Sequence, residues 1–177
     1  MNADVYYNFG WEYRVMEYQI AEINELSQPD FIATLGGIFE DSPWVAERVY
    51  DKRPFADLSS LHQAMVEVVR NASLEEQLEL IRSHPDLGSK VKMSESSVQE
   101  QAGAGLDRLS SEEYERFQLL NKAYKDKFAF PFIIAVKNHT KESILDAFSM
   151  RLENSRQAEI ERALEEIYQI AWLRLSN

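Results

Sequence analysis

Apolar residues recur every third or fourth position along most of this chain. Val15, Ile23 and Leu26 follow that spacing early, then Leu61, Met65 and Val68, then Leu74, Leu78 and Ile81. Side chains spaced this way share one face of an α-helix, so each segment offers a stripe to a common core. Further on, Tyr114, Phe117, Asn121 and Tyr124 mark another helix, and Ile144, Phe148 and Leu152 the next. The last helix extends from about Ser155 to the C-terminus. Start signals fall at matching places. Ser42-Pro43 reads as a cap followed by proline at the first helical position. Ser73-Leu-Glu-Glu76 and Ser110-Ser-Glu-Glu113 read as capping boxes, in which Ser and Glu satisfy each other's free backbone N–H. One segment breaks the pattern: Phe130-Pro-Phe-Ile-Ile-Ala-Val136 carries a β-branched run that suits a short strand or a buried helix start. One strand cannot make a sheet, so the predicted class is all-α, a single-domain compact helical bundle.

Composition narrows this picture. A chain of 177 residues, 45% hydrophobic, can bury one substantial core and is short for two. No repeat, low-complexity tract or linker divides it. We therefore read residues 1–177 as one domain, with residues 1–30 an N-terminal extension and first helix. A net charge of -11 repels phosphate backbones and anionic lipid, so neither nucleic acid nor membrane is an expected partner. The N-terminal stretch MNADVYYNFGWEYR lacks the basic start and apolar run of a signal peptide, which predicts a cytoplasmic protein. With no cysteine there is no disulfide, thiolate nucleophile or thiolate metal site. His, carboxylates, amides and Arg remain for chemistry.

Among the three histidines, His84 stands out. The helix from Leu74 stops at Ser83-His84-Pro85-Asp86-Leu87-Gly88, because proline disfavours helical geometry in the residue before it. A histidine there either caps the helix carbonyls or serves acid–base chemistry, since imidazole titrates near neutrality. His62 and His139 read as solvated surface. Downstream, Ser97, Glu100 and Gln101 lie at i, i+3 and i+4, on one side of a helical turn, where they could grip a small heterocycle. The same residues also fit a capping box with Ser97 at the N-cap. In the last helix, Ile160, Leu164, Ile167, Ala171 and Arg174 form one seam that ends in a cation. Its partner is a protein carboxylate, a bound acid, or solvent. No HExxH, P-loop or GxGxxG is present, so neither metal nor nucleotide is called for.

Taken together, these segments resemble the OHCU decarboxylase family, which acts on 2-oxo-4-hydroxy-4-carboxy-5-ureidoimidazoline. The matching stretches, in order from about residue 31 to 175, are Leu35-Gly-Gly-Ile-Phe-Glu-Asp-Ser-Pro-Trp-Val-Ala-Glu47, His84-Pro-Asp-Leu87, Ser97-x-x-Glu-Gln101 with Ala104-Gly-Leu106, Leu120-Asn-x-x-Tyr124, Lys127-Phe-Ala-Phe-Pro-Phe-Ile133 and Arg151-Leu-x-Asn154. The resemblance implies a homodimeric helical bundle that decarboxylates OHCU to (S)-allantoin, in urate degradation, without a cofactor or metal. It implies that His84 and Glu100 are catalytic. It further implies that Pro85, the turn Ser97, Val98, Gln99, Glu100 and Gln101, the segment Phe132, Ile133, Ile134, Ala135 and Val136, and Arg174 bind substrate. Gln101 would recognise an amide and Arg174 would stabilise an anion, so that replacing Arg174 by Met should cost no stability. Three departures are visible: Ala129 stands where the family commonly has glycine, the loop between His84 and Glu100 is shorter than in some relatives, and about thirty residues precede the first motif. A non-catalytic helical interaction module, and a metal hydrolase built on His84, Asp86 and Glu100, are the competing readings.

Overall fold

The computed structural model describes residues 19–90 and 92–176, so Val15 and the N-terminal stretch read above lie outside the described residues. The architecture is all-α, with nine α-helices among the described residues. They are α1 (Ile20–Glu25), α2 (Gln28–Leu35), α3 (Trp44–Val49), α4 (Leu58–Arg70), α5 (Leu74–Arg82), α6 (Glu95–Gly103), α7 (Ser111–Phe128), α8 (Lys141–Arg151) and α9 (Arg156–Ser176). The expected capping boxes are present at Ser73/Glu76 and Ser110/Glu113. Helix α3 starts a residue later than expected, at Trp44, with Pro43 before it. The N-cap of α6 is Ser94, whose Oγ accepts from Ser97 N, so Ser97 sits inside the helix and is not its cap.

Helix α9 is the central element and packs on α4, α5 and α7. Its seam of Ile160, Leu164, Ile167, Ala171 and Arg174 is buried, as the spacing predicts. One hydrophobic cluster runs from Ile23 to Leu175. Its aromatic heart is Phe117, Tyr124, Phe128, Phe130, Phe132 and Phe148, each fully buried and worth about 1.5–3 kcal/mol of transfer free energy. The Phe132 and Phe148 rings stack at 3.7 Å between centroids. His62 differs from expectation: it is half-buried, with Nε2 2.8 Å from the Tyr168 carbonyl and its ring edge-on to Trp172, and so ties α4 to α9. His139 is partly exposed, its Nδ1 3.0 Å from Ser143 Oγ. No helix among the described residues is long and apolar enough to cross a membrane.

Phe130–Val136 is neither strand nor helix start. It is a buried, non-helical segment that ends in a single 3-10 turn over Val136–Asn138. Irregular backbone is rarely buried because its polar groups need partners. Here charged side chains supply some of them: Arg151 Nη1 donates to the Ile133 carbonyl and Glu166 accepts the Ala135 N–H, while just before the segment Arg82 Nε and Arg156 Nε donate to the Ala129 and Phe128 carbonyls. The segment is entered through Ala129, which closes α7 in the left-handed conformation at φ 64°. That geometry favours glycine over alanine.

Candidate active site

The C-terminus of α5 places the first residue of the site. Ser83 Oγ donates to the Leu80 and Glu40 carbonyls, and His84 Nδ1 lies 2.9 Å from the Leu80 carbonyl. A carbonyl oxygen only accepts, so Nδ1 carries the ring proton and Nε2 keeps its lone pair. The two uses left open for His84 are therefore compatible: one nitrogen caps the helix while the other remains for chemistry. Burial, and then repulsion by Arg174, push its pKa down from 6.5 to about 4, against the opposing pull of Glu40. The ring is neutral at physiological pH.

His84 lines a pocket with Pro85, Ser97, Glu100, Gln101, Phe132, Ile133, Ile134, Val136 and Arg174. Folding thus gathers most of the residues singled out in the sequence. Leu87 and Ile170 also line it and carried no signal beyond being apolar. Three of the candidates do not line it. Val98 and Gln99 lie on the exposed side of α6, and Ala135 is buried with its N–H turned to Glu166.

Arg174 has a protein answer to its charge. Its Nε and Nη2 donate to the two carboxylate oxygens of Glu100 at 2.8 and 3.1 Å, and Nη2 also donates to Glu40 at 2.8 Å. Ser97 Oγ donates to the same Glu40 oxygen at 3.1 Å. Arg174 and Glu40 side chains are each 2% exposed. Burial opposes the guanidinium charge, but the hydrogen bonds and negative charges of Glu100 and Glu40 together outweigh it and lock Arg174 in its charged form. Burial likewise opposes ionisation of Glu40, and the charge of Arg174 together with hydrogen bonds from Ser94 and Arg174 overcomes it, holding the carboxyl below its usual range. One cation faces two carboxylates, so Arg174 is not a vacant anion receptor. Its Nη1 donates a long 3.4 Å hydrogen bond to the Gly37 carbonyl. Glu40 was missed as a site residue. Its trace in the sequence is a carboxylate directly after the apolar Leu35…Ile38-Phe39 run.

Gln101 is also committed. Its Oε1 accepts Gly88 N at 2.9 Å and its Nε2 donates to the Asp86 carbonyl at 3.4 Å, so it holds the His84 to Gly88 loop in place. Gly88 has φ 65°, and a side chain there would meet Leu109 at 2.8 Å. Asn121 Nδ2 fixes the same loop through the Leu87 carbonyl. Asp86 pairs with Lys125 at 2.6 Å. Among the described residues no group of three or more His, Asp and Glu is placed to hold a metal. Opposite this loop, the N–H and C=O of Ile134 have no hydrogen-bond partner among the described residues.

An all-helical frame that closes a neutral histidine, a carboxylate and unpaired backbone amides around one pocket defines a small-molecule acid–base enzyme. The chain belongs to the OHCU decarboxylase family, whose model matches residues 24–176. It is 46% identical over 158 residues to 2-oxo-4-hydroxy-4-carboxy-5-ureidoimidazoline decarboxylase of Halalkalicoccus jeotgali, covering 89% of this chain and 90% of that one. It is 48% identical over 160 residues to the uric acid degradation bifunctional protein of Bacillus subtilis, covering 90% of this chain and 32% of that longer protein. Among solved structures, (S)-allantoin synthase superposes with a TM-score of 0.73 at 33% identity, over 89% of this chain and 53% of that one. OHCU decarboxylase in the presence of (S)-allantoin gives 0.64 at 25% identity, over 75% and 88%.

Proposed function

We propose that this protein removes CO2 from OHCU and delivers (S)-allantoin, acting as a cytoplasmic homodimer. The observation that carries the reading is His84: its Nδ1 is spent on the Leu80 carbonyl, which leaves a neutral Nε2 acceptor in a pocket walled by unpaired amides.

The substrate brings its own electron sink. The carbon bearing the carboxylate also bears a hydroxyl and adjoins the ring imine. When the carbon–carboxylate bond breaks, its electron pair forms a double bond to the imine carbon and the imine pair moves to nitrogen, which takes a proton from solvent. A carboxylate leaves as neutral CO2, so one proton is consumed overall. The resulting enol then loses its hydroxyl proton, and the ureido-bearing carbon gains one. His84 Nε2 suits both steps, accepting the hydroxyl proton and returning it from one face of the ring. Starting neutral, it acts first as base. Glu100 orients the ureido N–H groups, the free backbone of the 132–136 segment pairs with ring amide groups, and Pro85 and Phe132 wall the ring. Ser97 and Arg174 hold Glu40 and Glu100 in place.

The test is direct. Pure protein is added to freshly generated OHCU and circular dichroism is followed. An optically active product formed faster than in buffer is expected. Racemic allantoin at the buffer rate would overturn the reading. Sedimentation of the same protein tests the dimer.

A further inference from the structure

Helix α9 buries two carboxylates besides Arg174 that the reaction does not use. Glu159 and Glu166 are 0% and 1% exposed and lie two turns apart. Burying a carboxylate is costly unless its hydrogen bonds return the loss. Both are turned to the pocket's wall and not to the pocket. Glu166 Oε2 accepts the Ala135 N–H at 2.8 Å, and Arg162 covers its other oxygen. Glu159 accepts from Arg151 Nε at 3.0 Å, while Arg151 Nη1 donates to the Ile133 carbonyl at 2.6 Å. The Arg151 guanidinium also lies 4.3 Å from the centre of the Phe132 ring. The Tyr124 hydroxyl and Asn154 Nδ2 complete the shell of Glu159.

Residues 133 and 135 are gripped from the α8/α9 side. Ile134, between them, lines the pocket, and among the described residues neither its N–H nor its C=O is hydrogen-bonded. We propose that Glu166 and the Glu159–Arg151 pair are positioning residues: by anchoring Ala135 and Ile133 from behind, they set which edge of the wall faces the ligand. Ile134 then offers a donor and an acceptor side by side, a match for the N–H and C=O of a ring amide. The identity of that ligand rests on the function proposed above, whereas the anchoring does not.

The experiment compares Glu166→Gln, which keeps an acceptor for Ala135 N–H, with Glu166→Met, which removes it at similar length. Two quantities are read: steady-state kinetics on OHCU and amide hydrogen exchange at Ala135 in the free protein. Glu166→Met is expected to raise KM by about tenfold with kcat nearly unchanged, since the wall binds ground and transition states alike. Exchange at Ala135 should accelerate by about tenfold or more. Glu166→Gln should restore both to near wild type. If Glu166→Met does not fold, Glu166→Asp, which retracts the acceptor by one methylene, should shift both quantities in the same direction. A wild-type KM in a variant with fast Ala135 exchange overturns the proposal, and so does unchanged exchange in the variant. Failure of the wild-type enzyme to act on OHCU would instead sink the decarboxylase reading, leaving the exchange comparison to decide the anchoring.

Discussion

Two of the buried charge clusters along α9, those around Glu159 and Arg174, are built differently. Around Glu159, one cation meets one carboxylate, and Tyr124 and Asn154 take up its remaining oxygen capacity. That cluster is closed, with the Arg151 and Glu159 side chains 8% and 0% exposed. Burial, followed by the Glu159 hydrogen bond, pushes the Tyr124 hydroxyl far up, so it stays a donor. Around Arg174, one cation meets two carboxylates, and the outer one, Glu100, lines the pocket. A balanced, closed cluster can only hold backbone. An acidic excess at a pocket edge, beside a histidine with a free nitrogen, can take part in chemistry.

Breaking the open cluster should give the largest effects. His84→Asn should lower kcat by about 100- to 10,000-fold, the usual contribution of an acid–base group. The melting temperature should change little, because an Asn amide can still donate to the Leu80 carbonyl; ordinary turnover would remove His84 from the mechanism. Next is Arg174→Met, which strands two carboxylates, one of them fully buried. Stability should fall by about 3–5 kcal/mol in urea unfolding, the reverse of what the isolated sequence suggests for this position. Adding Glu40→Gln should recover part of that loss, and no recovery would mean that Arg174 stabilises by packing instead of by charge.

The pH dependence sharpens the contrast further. His84 titrates near 4 when folded and near 6.5 when unfolded, so below 6.5 the unfolded chain takes up a proton that the native state does not. Stability should therefore be fully present above about pH 6.5 and fall by about 3 kcal/mol as pH drops toward 4. The kcat/KM profile should show no inflection at 6.5; one there in wild type, lost in His84→Asn, would contradict the buried neutral ring. A smaller effect is expected at the entrance to the wall. Ala129→Gly relieves a left-handed alanine and should gain up to about 1 kcal/mol, read as a rise in melting temperature. Smallest of all is Lys122→Gln, which breaks an exposed i,i+4 pair with Asp126 and should cost about 0.5 kcal/mol or less.

Helix periodicity and capping chemistry are local, and residues close in sequence carry them. The spacing of Leu61, Met65 and Val68, the boxes at Ser73 and Ser110, and the buried seam of α9 could thus be placed from the chain alone. The family resemblance named the pocket residues, and the fold draws most of them together. What the chain could not reveal is how each polar group is spent. Ser97 looked like a cap until Ser94 took that place. Gln101 read as a group for a ligand amide until Gly88 and Asp86 claimed it, and the partner of Arg174 stood open between a protein carboxylate, a bound acid and solvent until Glu40 came from 134 residues away. The reason is physical. Burial and hydrogen-bond partnership are properties of distance in space, and desolvation makes them decisive: the same histidine is an ordinary base in water and a neutral acceptor beside Arg174. Tertiary structure alone determined which donors and acceptors remain unspent, and those are the groups left for a substrate.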